Sequence, residues 1–193
     1  KDSDNVNVST VYCFTTCLDS GNNDNWLFNA PTNISLVSTN NYNFYVNQAT
    51  TTIDAITITE DISTTSITSA NNIRLSIATT TTNFYFDNGV TTLTFGGTAS
   101  GKVSSSVTYE DNGATLVIDV TSDFAGSDTL IINGIQVGGF SSSSATTSRI
   151  SLHTDGNSVG IPSTYDTKTI TITGSLTLGN HTLGQVNSQF SFQ

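Results

Sequence analysis

The sequence predicts an all-β protein, an antiparallel β-sandwich that is preceded by an extended N-terminal segment. From about Tyr42 onward, apolar and polar residues alternate with a period of two, which is typical of strands that bury one face. The polar positions are mostly Thr or Ser, and Thr, Ser and Asn supply 81 of the 193 residues. β-branched Thr suits the outer face of a pleated sheet and is a poor helix former. No stretch of a dozen residues has helical spacing, so we expect almost no helix.

The clearest alternation lies in five short segments, each of which predicts a strand. They are residues 56–59, 73–77, 116–120, 150–152 and 170–173. Asn-Gly turns at 87–89 and at 111–113 predict two hairpins, because Asn and Gly tolerate the positive φ of tight turns. Roughly ten strand candidates at spacings of about 8 to 15 residues indicate a sandwich. We assign residues 31–193 to a β-sandwich domain of the immunoglobulin-like or jelly-roll type, which is long enough to bury a core.

Residues 1–30 differ in composition and are predicted to form a separate N-terminal extension, rich in Asp, Asn and Ser. Within it lies a short apolar stripe that is a candidate donor strand. The stripe consists of Val6, Val8, Val11 and Phe14. Two hypotheses fit this stripe. It completes the sheet of a neighbouring subunit, or it pairs within its own chain as an ordinary first strand.

The chain has two cysteines, Cys13 and Cys17, and their spacing limits how they can pair. Residues four apart in a straight strand are about 13 Å apart, whereas a disulfide needs Cα atoms within roughly 7 Å. The pair can form a local disulfide if the segment turns between them; otherwise both stay reduced or each bonds another chain. The absence of Met, also at position 1, predicts that the chain is a processed product or an excised fragment, and we expect that a signal peptide has been removed. An extracellular location favours the local disulfide.

The charge balance argues against nucleic acid as a partner. Five basic residues against fifteen acidic ones give a net charge of −10, which repels a phosphate backbone. No apolar run approaches the ~18 residues that span a bilayer, so we expect no membrane insertion. Three sequons place candidate glycosylation sites at Asn7, Asn33 and Asn180.

The sequence offers few groups for catalysis, and we predict that the chain is not an enzyme. His153 and His181 are the only imidazoles, and neither a nucleophile-elbow motif nor a zinc-helix motif is present. A secreted hydrolase, the weakest of three functional hypotheses, would need two converging carboxylates. The candidates are Glu60-Asp61 and Glu110-Asp111. Each pair lies where a strand gives way to a turn, so we expect solvated turn residues.

Calcium is the one cofactor for which the sequence offers a pattern. The polar run 19–25 has oxygen-bearing side chains at alternate positions, and the candidate ligands are Asp19, Asn23 and Asp24. The run lacks the bidentate Glu that closes an EF-hand loop, so a flexible Asn/Asp turn is the favoured interpretation. Weaker clusters of the same kind lie around Asp123, Asp128 and Asp155.

Aromatic residues cluster in three runs, near Trp26, Phe44 and Tyr85. Alternation directs some rings of each run into the core, and Tyr45 and Tyr85 are the rings predicted to face outward. Exposed rings serve sugar-binding modules as stacking platforms. Core packing is the default interpretation for the other rings. The alternative function is therefore a carbohydrate-binding or adhesin module of a larger secreted surface protein, with surface glycans as partners.

Residues 53–172 resemble the immunoglobulin-like or cohesin-like modules of large secreted proteins of bacteria and archaea. The resemblance is carried by the segments 73–77, 101–103, 107–120 and 124–135. A hairpin at Asp111-Asn112-Gly113 is followed there by a Gly-marked turn into a strand that ends in Gly134-Ile135. The resemblance covers about two thirds of the chain and includes no catalytic motif. It implies a cell-surface, filament or scaffold role.

The resulting functional prediction is a structural subunit of an extracellular surface filament or pilus-like fibre. The N-terminal stripe would enter the sheet of a neighbouring copy, as in donor-strand complementation. Head-to-tail repetition of such a contact does not close on itself, so the product is a homopolymer.

Overall fold

The computed structural model confirms the all-β prediction and the five predicted strands. It describes residues 33–77, 84–144, 148–158 and 161–174, and in addition two short N-terminal strands, β1 (Val11–Tyr12) and β2 (Trp26–Leu27). The other strands are β3 (Ser35–Ser38), β4 (Tyr42–Tyr45), β5 (Thr51–Thr52), β6 (Ile56–Thr59), β7 (Ile73–Ile77), β8 (Tyr85–Phe86), β9 (Thr94–Gly96), β10 (Val103–Glu110), β11 (Thr115–Val120), β12 (Thr129–Asn133), β13 (Gln136–Gly138), β14 (Ile150–His153), β15 (Thr164–Tyr165) and β16 (Ile170–Thr173). Within these ranges the only helical turns are two short 3-10 segments, Ser100–Lys102 and Asp111–Gly113.

The strands form two main layers. One is a five-stranded antiparallel sheet in the order β10-β11-β7-β14-β15. The other layer consists of two ladders, β3-β6-β12-β9 and β5-β13-β8. These ladders continue each other, because β5 is followed along the chain by β6, β8 by β9 and β12 by β13. Backbone bonds from Ile53 N to Ile135 O and from Asp87 N to Gln136 O continue the pairing between the two ladders.

The core lies between the layers and consists of the alternate, inward-facing side chains of the central strands. In one layer Ile58 of β6 pairs with Leu130 of β12, and both side chains are fully buried. In the other layer Leu75 of β7 lies between Leu116 of β11 and Leu152 of β14. This arrangement follows from the period-two alternation, because successive side chains of a strand point to opposite faces.

The layers are joined along both sides. On one side, Val107 N of β10 donates to Thr91 O and Leu93 N donates to Ser105 O, so the segment before β9 pairs with β10. On the other side, the buried Asp166 follows β15 and accepts hydrogen bonds from the backbone amide and the hydroxyl of Ser38 in β3.

Two ladders depart from the predicted antiparallel arrangement. β4 pairs with β16 in parallel, and β1 pairs with β2 in parallel. A parallel pair needs a long connection between its strands. The 124 residues that separate Tyr45 from Ile170 provide one for β4 and β16.

One of the two predicted hairpins is confirmed and one is wrong. β10 and β11 pair across 111–113, where Asp111, Asn112 and Gly113 all have positive φ. At 87–89 the turn exists, with Val90 N donating to Asp87 O, but β8 and β9 do not pair with each other. The reason is that the chain after this turn pairs with β10, while β8 and β9 find their partners in β13 and β12.

We expect Leu75→Ala to lower the free energy of unfolding by about 2–5 kcal/mol, because it removes a fully buried side chain from the central strand and leaves a cavity. Urea denaturation followed by tyrosine and tryptophan fluorescence measures this loss. The control is Val37→Ala on β3, which truncates an exposed side chain and should cost about 0.5 kcal/mol or less. Equal losses in the two variants would contradict the described core.

Candidate functional site

Tyr45 and Tyr85 each follow, in the sequence, one phenylalanine of a buried aromatic stack. Phe140 stacks on Phe44 with ring centroids 4.5 Å apart and on Phe84 with centroids 6.2 Å apart, and all three rings are buried. The next residue along each strand points the opposite way, and Tyr45 and Tyr85 are 61% and 43% exposed. Their predicted outward orientation is therefore confirmed.

The ring of Tyr85 lies directly on Gly139. A Cβ atom at this glycine would overlap the Cε1 atom of Tyr85, and the positive φ of 77° at Gly139 also favours glycine. Tyr85 pairs with Gly138 in the β8–β13 ladder, so two successive glycines are neighbours of Tyr85. The ring thus rests on the backbone, while part of its surface stays open to solvent.

Uncharged polar groups surround the same strand ends. Gln48 accepts a hydrogen bond from Tyr45 N through Oε1 and donates through Nε2 to Thr51 Oγ1. The Thr50 hydroxyl oxygen lies 2.8 Å from the position that a Cβ of Gly138 would take. The backbone amide of Asn47 donates to Phe140 O.

A second polar group crosses the outer face of the five-stranded sheet. The hydroxyls of Ser76 and Thr115 are 3.1 Å apart, and Ser151 Oγ lies 3.1 Å from Ser76 O and 3.3 Å from His153 Nε2. A hydroxyl has one proton, and Ser151 donates it to the Ser76 carbonyl. His153 Nε2 is therefore the donor to Ser151, which is the reverse of the arrangement that activates a serine nucleophile.

His153 is 3% exposed, and its Nδ1 atom has no hydrogen-bond partner among the described residues. Burial lowers the pKa of the His153 imidazole; the nearby Arg74 lowers it further, whereas Asp155 opposes the shift. The neutral ring is thus the form that the fold accommodates.

The expectation of solvated carboxylates is wrong for Glu60 and Asp61, which are each 2% exposed. Glu60 accepts hydrogen bonds from the backbone amides of Asp61 and Ile67. Asp61 accepts bonds from the hydroxyl and amide of Ser63 and from the amides of Thr64 and Asn33. These bonds hold the pKa of the Asp61 carboxyl well below its usual range. Both carboxylates fix the loop after β6, and their oxygens are occupied by backbone donors.

The second acidic pair is also engaged in local structure. Glu110 forms a bidentate ion pair with Arg74, with N–O distances of 2.9 and 3.0 Å. Asp111 lies on the exposed turn and accepts bonds from the hydroxyls of Thr115 and Ser158. Neither of the predicted pairs therefore points two available carboxylates at a common cleft.

The weaker calcium candidates hold loops in the structure. Lys102 Nζ lies 2.7 Å from Asp128, and the amide of Ala125 and the hydroxyl of Thr98 also donate to this carboxylate. These contacts lower the pKa of Asp128 to about 2. Asp123 accepts bonds from Ser69, and Asp155 accepts one from Asn157 N. In the described parts of the chain, no three acidic, His or Cys side chains are grouped closely enough to bind a metal ion.

Several predicted site residues lie outside the described residues. These are Val6, Val8, Phe14, Cys13, Cys17, Asp19, Asn23, Asp24, Asn7 and Asn180. Val11 begins β1, where it pairs with Trp26. Asn33, the remaining sequon residue, is exposed just before β3.

Lowering the pH should destabilise the fold through His153, because its pKa is lower in the folded state than in the unfolded one. This contribution is intact above the unfolded value of about 6.5 and is lost as the pH falls from there toward the folded pKa. We therefore expect wild type to lose more stability between about pH 7 and pH 5 than His153→Gln, which cannot be protonated. Urea midpoints at both pH values test this, and parallel losses in the two proteins would contradict it.

At lower pH we expect the protonation of Asp61 to account for most of the loss of folding stability. Its depressed pKa stabilises the fold above the unfolded value of about 4, and this contribution disappears as the pH falls toward the folded pKa. Asp61→Asn should melt at a lower temperature than wild type at neutral pH, and this difference should shrink on acidification toward about pH 2.5. Asp119→Asn, which removes a charge from an exposed position of β11, is the control. A difference for Asp61→Asn that stays constant with pH would contradict the assignment.

None of the described residues belongs to a helix long and apolar enough to cross a membrane. Comparisons of the chain with protein families, with curated proteins and with solved structures found no match.

Proposed function

We propose that the chain is a non-enzymatic structural subunit of an extracellular filament, assembled by β-strand addition through its N-terminal segment. The observation that carries this proposal is the pairing of β1. Val11 and Tyr12 form a strand, yet among the described strands they pair with β2 alone and with no strand of the sandwich. This agrees better with a donor strand than with an ordinary first strand of the domain.

The β1–β2 ladder is small enough to be exchanged. It is two residues long on each side, and isolated two-stranded pairs of this size are marginal in water. A longer ladder along the edge of a neighbouring sheet would satisfy more backbone groups of the same segment. The alternate apolar residues Val6 and Val8 would place their side chains on one face of such a strand.

The sandwich itself supports the view that the extension is available for another copy. Its layers are joined through Thr91–Leu93 on one side and through Asp166 on the other, and both joints use residues after position 33. The central aliphatic side chains of both layers are fully buried. The described strands thus form their core ladders with one another and do not use β1.

The chemistry of the described residues also favours a structural role. Glu60 and Asp61 are occupied by backbone donors, Glu110 by Arg74, and Asp128 by Lys102. The low content of charge and the many Thr and Ser residues suit a durable exterior surface. A contact in which each copy donates one strand and accepts another is head-to-tail, and it produces a filament when its rotation does not close a ring.

Removing residues 1–14 should abolish assembly and leave a folded monomer. Wild type is expected to form fibres visible by negative-stain microscopy, and sedimentation velocity should find the truncated protein as a single small species. A second variant, Val6→Asp/Val8→Asp/Val11→Asp, keeps the full length and should behave in the same way, because charges oppose burial in a neighbour's sheet.

The matched control is Asn5→Ser/Asn7→Ser, which changes the polar neighbours of the stripe and should still assemble. Circular dichroism establishes that each variant retains its β structure. Fibres formed by the truncated protein, or wild type that remains monomeric at high concentration, would overturn the proposal.

A further inference from the structure

We propose that residues 154–158, which we call the strap, cover a buried polar layer on the outer face of the five-stranded sheet and open when His153 takes up a proton. The strap directly follows His153 at the end of β14. This device goes beyond the proposed assembly function and does not depend on it, because all its residues lie in the described sandwich. Two observations carry the inference, namely the path of the strap and the surroundings of the His153 ring.

The outer face of the sheet provides two levels against which the path of the strap can be followed. In the β14–β7 ladder, His153 lies opposite Arg74, and Ser151 lies opposite Ser76. Thr115 of β11 is the neighbour of Ser76 on its other side. β14 therefore runs from the level of Ser76 and Thr115 to the level of Arg74, and there the strap begins.

The far end of the strap has returned to the first level. Ser158 donates a hydrogen bond to Oδ2 of Asp111, and Thr115 donates to the same oxygen atom. Between the two ends, Gly156 lies against Asn71, which precedes β7. A Cβ atom at this glycine would be 2.7 Å from Asn71 Oδ1, and its φ of 80° also favours glycine. The strap thus reverses the direction of β14 and runs back along the outer face.

The side chains along this path are buried, although they lie on the solvent side of a two-layer fold, where polar residues are ordinarily exposed. His153 and Ser151 are each 3% exposed and Thr115 is 2% exposed. The hydroxyls of Ser76 and Thr115 bond each other, and Ser151 bonds His153. The strap is the described segment that returns along this polar layer, and its position accounts for the exclusion of water from it.

Few contacts hold the strap, so it can open while the core strands stay paired. At its first residue, the amide and the hydroxyl of Thr154 are bonded to Ser163 Oγ, and at its last residue Ser158 is bonded to Asp111. None of the residues 154–158 is buried. Segments with few buried apolar contacts open locally at a lower free energy than the whole fold.

His153 couples this opening to protons. Its Nε2 atom donates to Ser151, and its buried Nδ1 atom has no hydrogen-bond partner among the described residues. A protonated ring has a donor at both nitrogens, so Nδ1 would need an acceptor that the closed state does not supply. The Arg74 guanidinium, which is paired with Glu110, also disfavours a positive ring, whereas Asp155 on the strap favours it.

The other neighbouring strands bring further charged and titratable groups to this face. β11 has Val117 next to Arg74 and the exposed Asp119 two residues further on. β15 places Tyr165 beside Ser151, with the Arg149 guanidinium over its ring. None of these groups is hydrogen-bonded to the His153 ring.

Opening of the strap admits water to the ring, and the pKa of His153 then returns toward its ordinary value of about 6.5. In the closed state, burial keeps this pKa lower. The open state therefore binds the proton more tightly, and acid favours it. As long as the covered ring stays neutral, a change from about pH 7.5 to about pH 5.5 raises the open population by up to about tenfold.

The test is amide hydrogen exchange of the full-length protein, followed for single residues by NMR at these two pH values. Each rate is divided by the intrinsic exchange rate at the same pH. The amides of Thr154 and Asn157 are hydrogen-bonded in the closed strap, and we expect their protection to fall by up to about tenfold in acid. The amides of β7 should keep their protection.

His153→Gln is the matched variant, because glutamine can donate to Ser151 and takes up no proton. Its strap should be equally protected at both pH values. Ser158→Ala removes the bond to Asp111, so its strap should be less protected than that of wild type at both pH values and should still respond to acid. Circular dichroism establishes that both variants are folded, and the comparison of the strap with β7 in wild type needs neither of them.

Strap protection in wild type that is the same at both pH values would overturn the proposal. So would a loss in His153→Gln as large as that in wild type, because another group would then be the trigger. A loss of protection that the β7 amides share would also overturn it, since the whole sheet would be opening.

Discussion

The structure depends on the burial of alternate aliphatic side chains between two layers that contain very few charges. Leu75, Leu116 and Leu152 on one side face Ile58 and Leu130 on the other, and none of these side chains is accessible to solvent. Such burial fixes the register of each central strand, because a slip of one residue would turn its apolar side chains outward. The Thr- and Ser-rich outer positions then follow as the other half of the same alternation.

Burial between layers leaves the loops to be fixed by other means, and the chain uses carboxylates for this purpose. Asp61 and Asp166 are almost fully buried, and each binds backbone amides with its oxygens. For Asp61, these hydrogen bonds lower the pKa of the carboxyl and favour its charged form. Glu60 and Asp61, which suggest a catalytic pair by sequence alone, therefore have a structural role, because they hold the loop after β6.

Alternation was sufficient to predict the central strands and the outward direction of Tyr45 and Tyr85, because both are local properties. Alternation could not predict the contacts between segments that are far apart in the sequence. The Ser38–Asp166 joint spans 128 residues, and the pairing of Tyr85 with Gly138 replaces the hairpin that the Asn-Gly turn predicted. The contact between Gly139 and the Tyr85 ring could not be predicted, because a Gly-Gly pair in a sequence indicates only a turn.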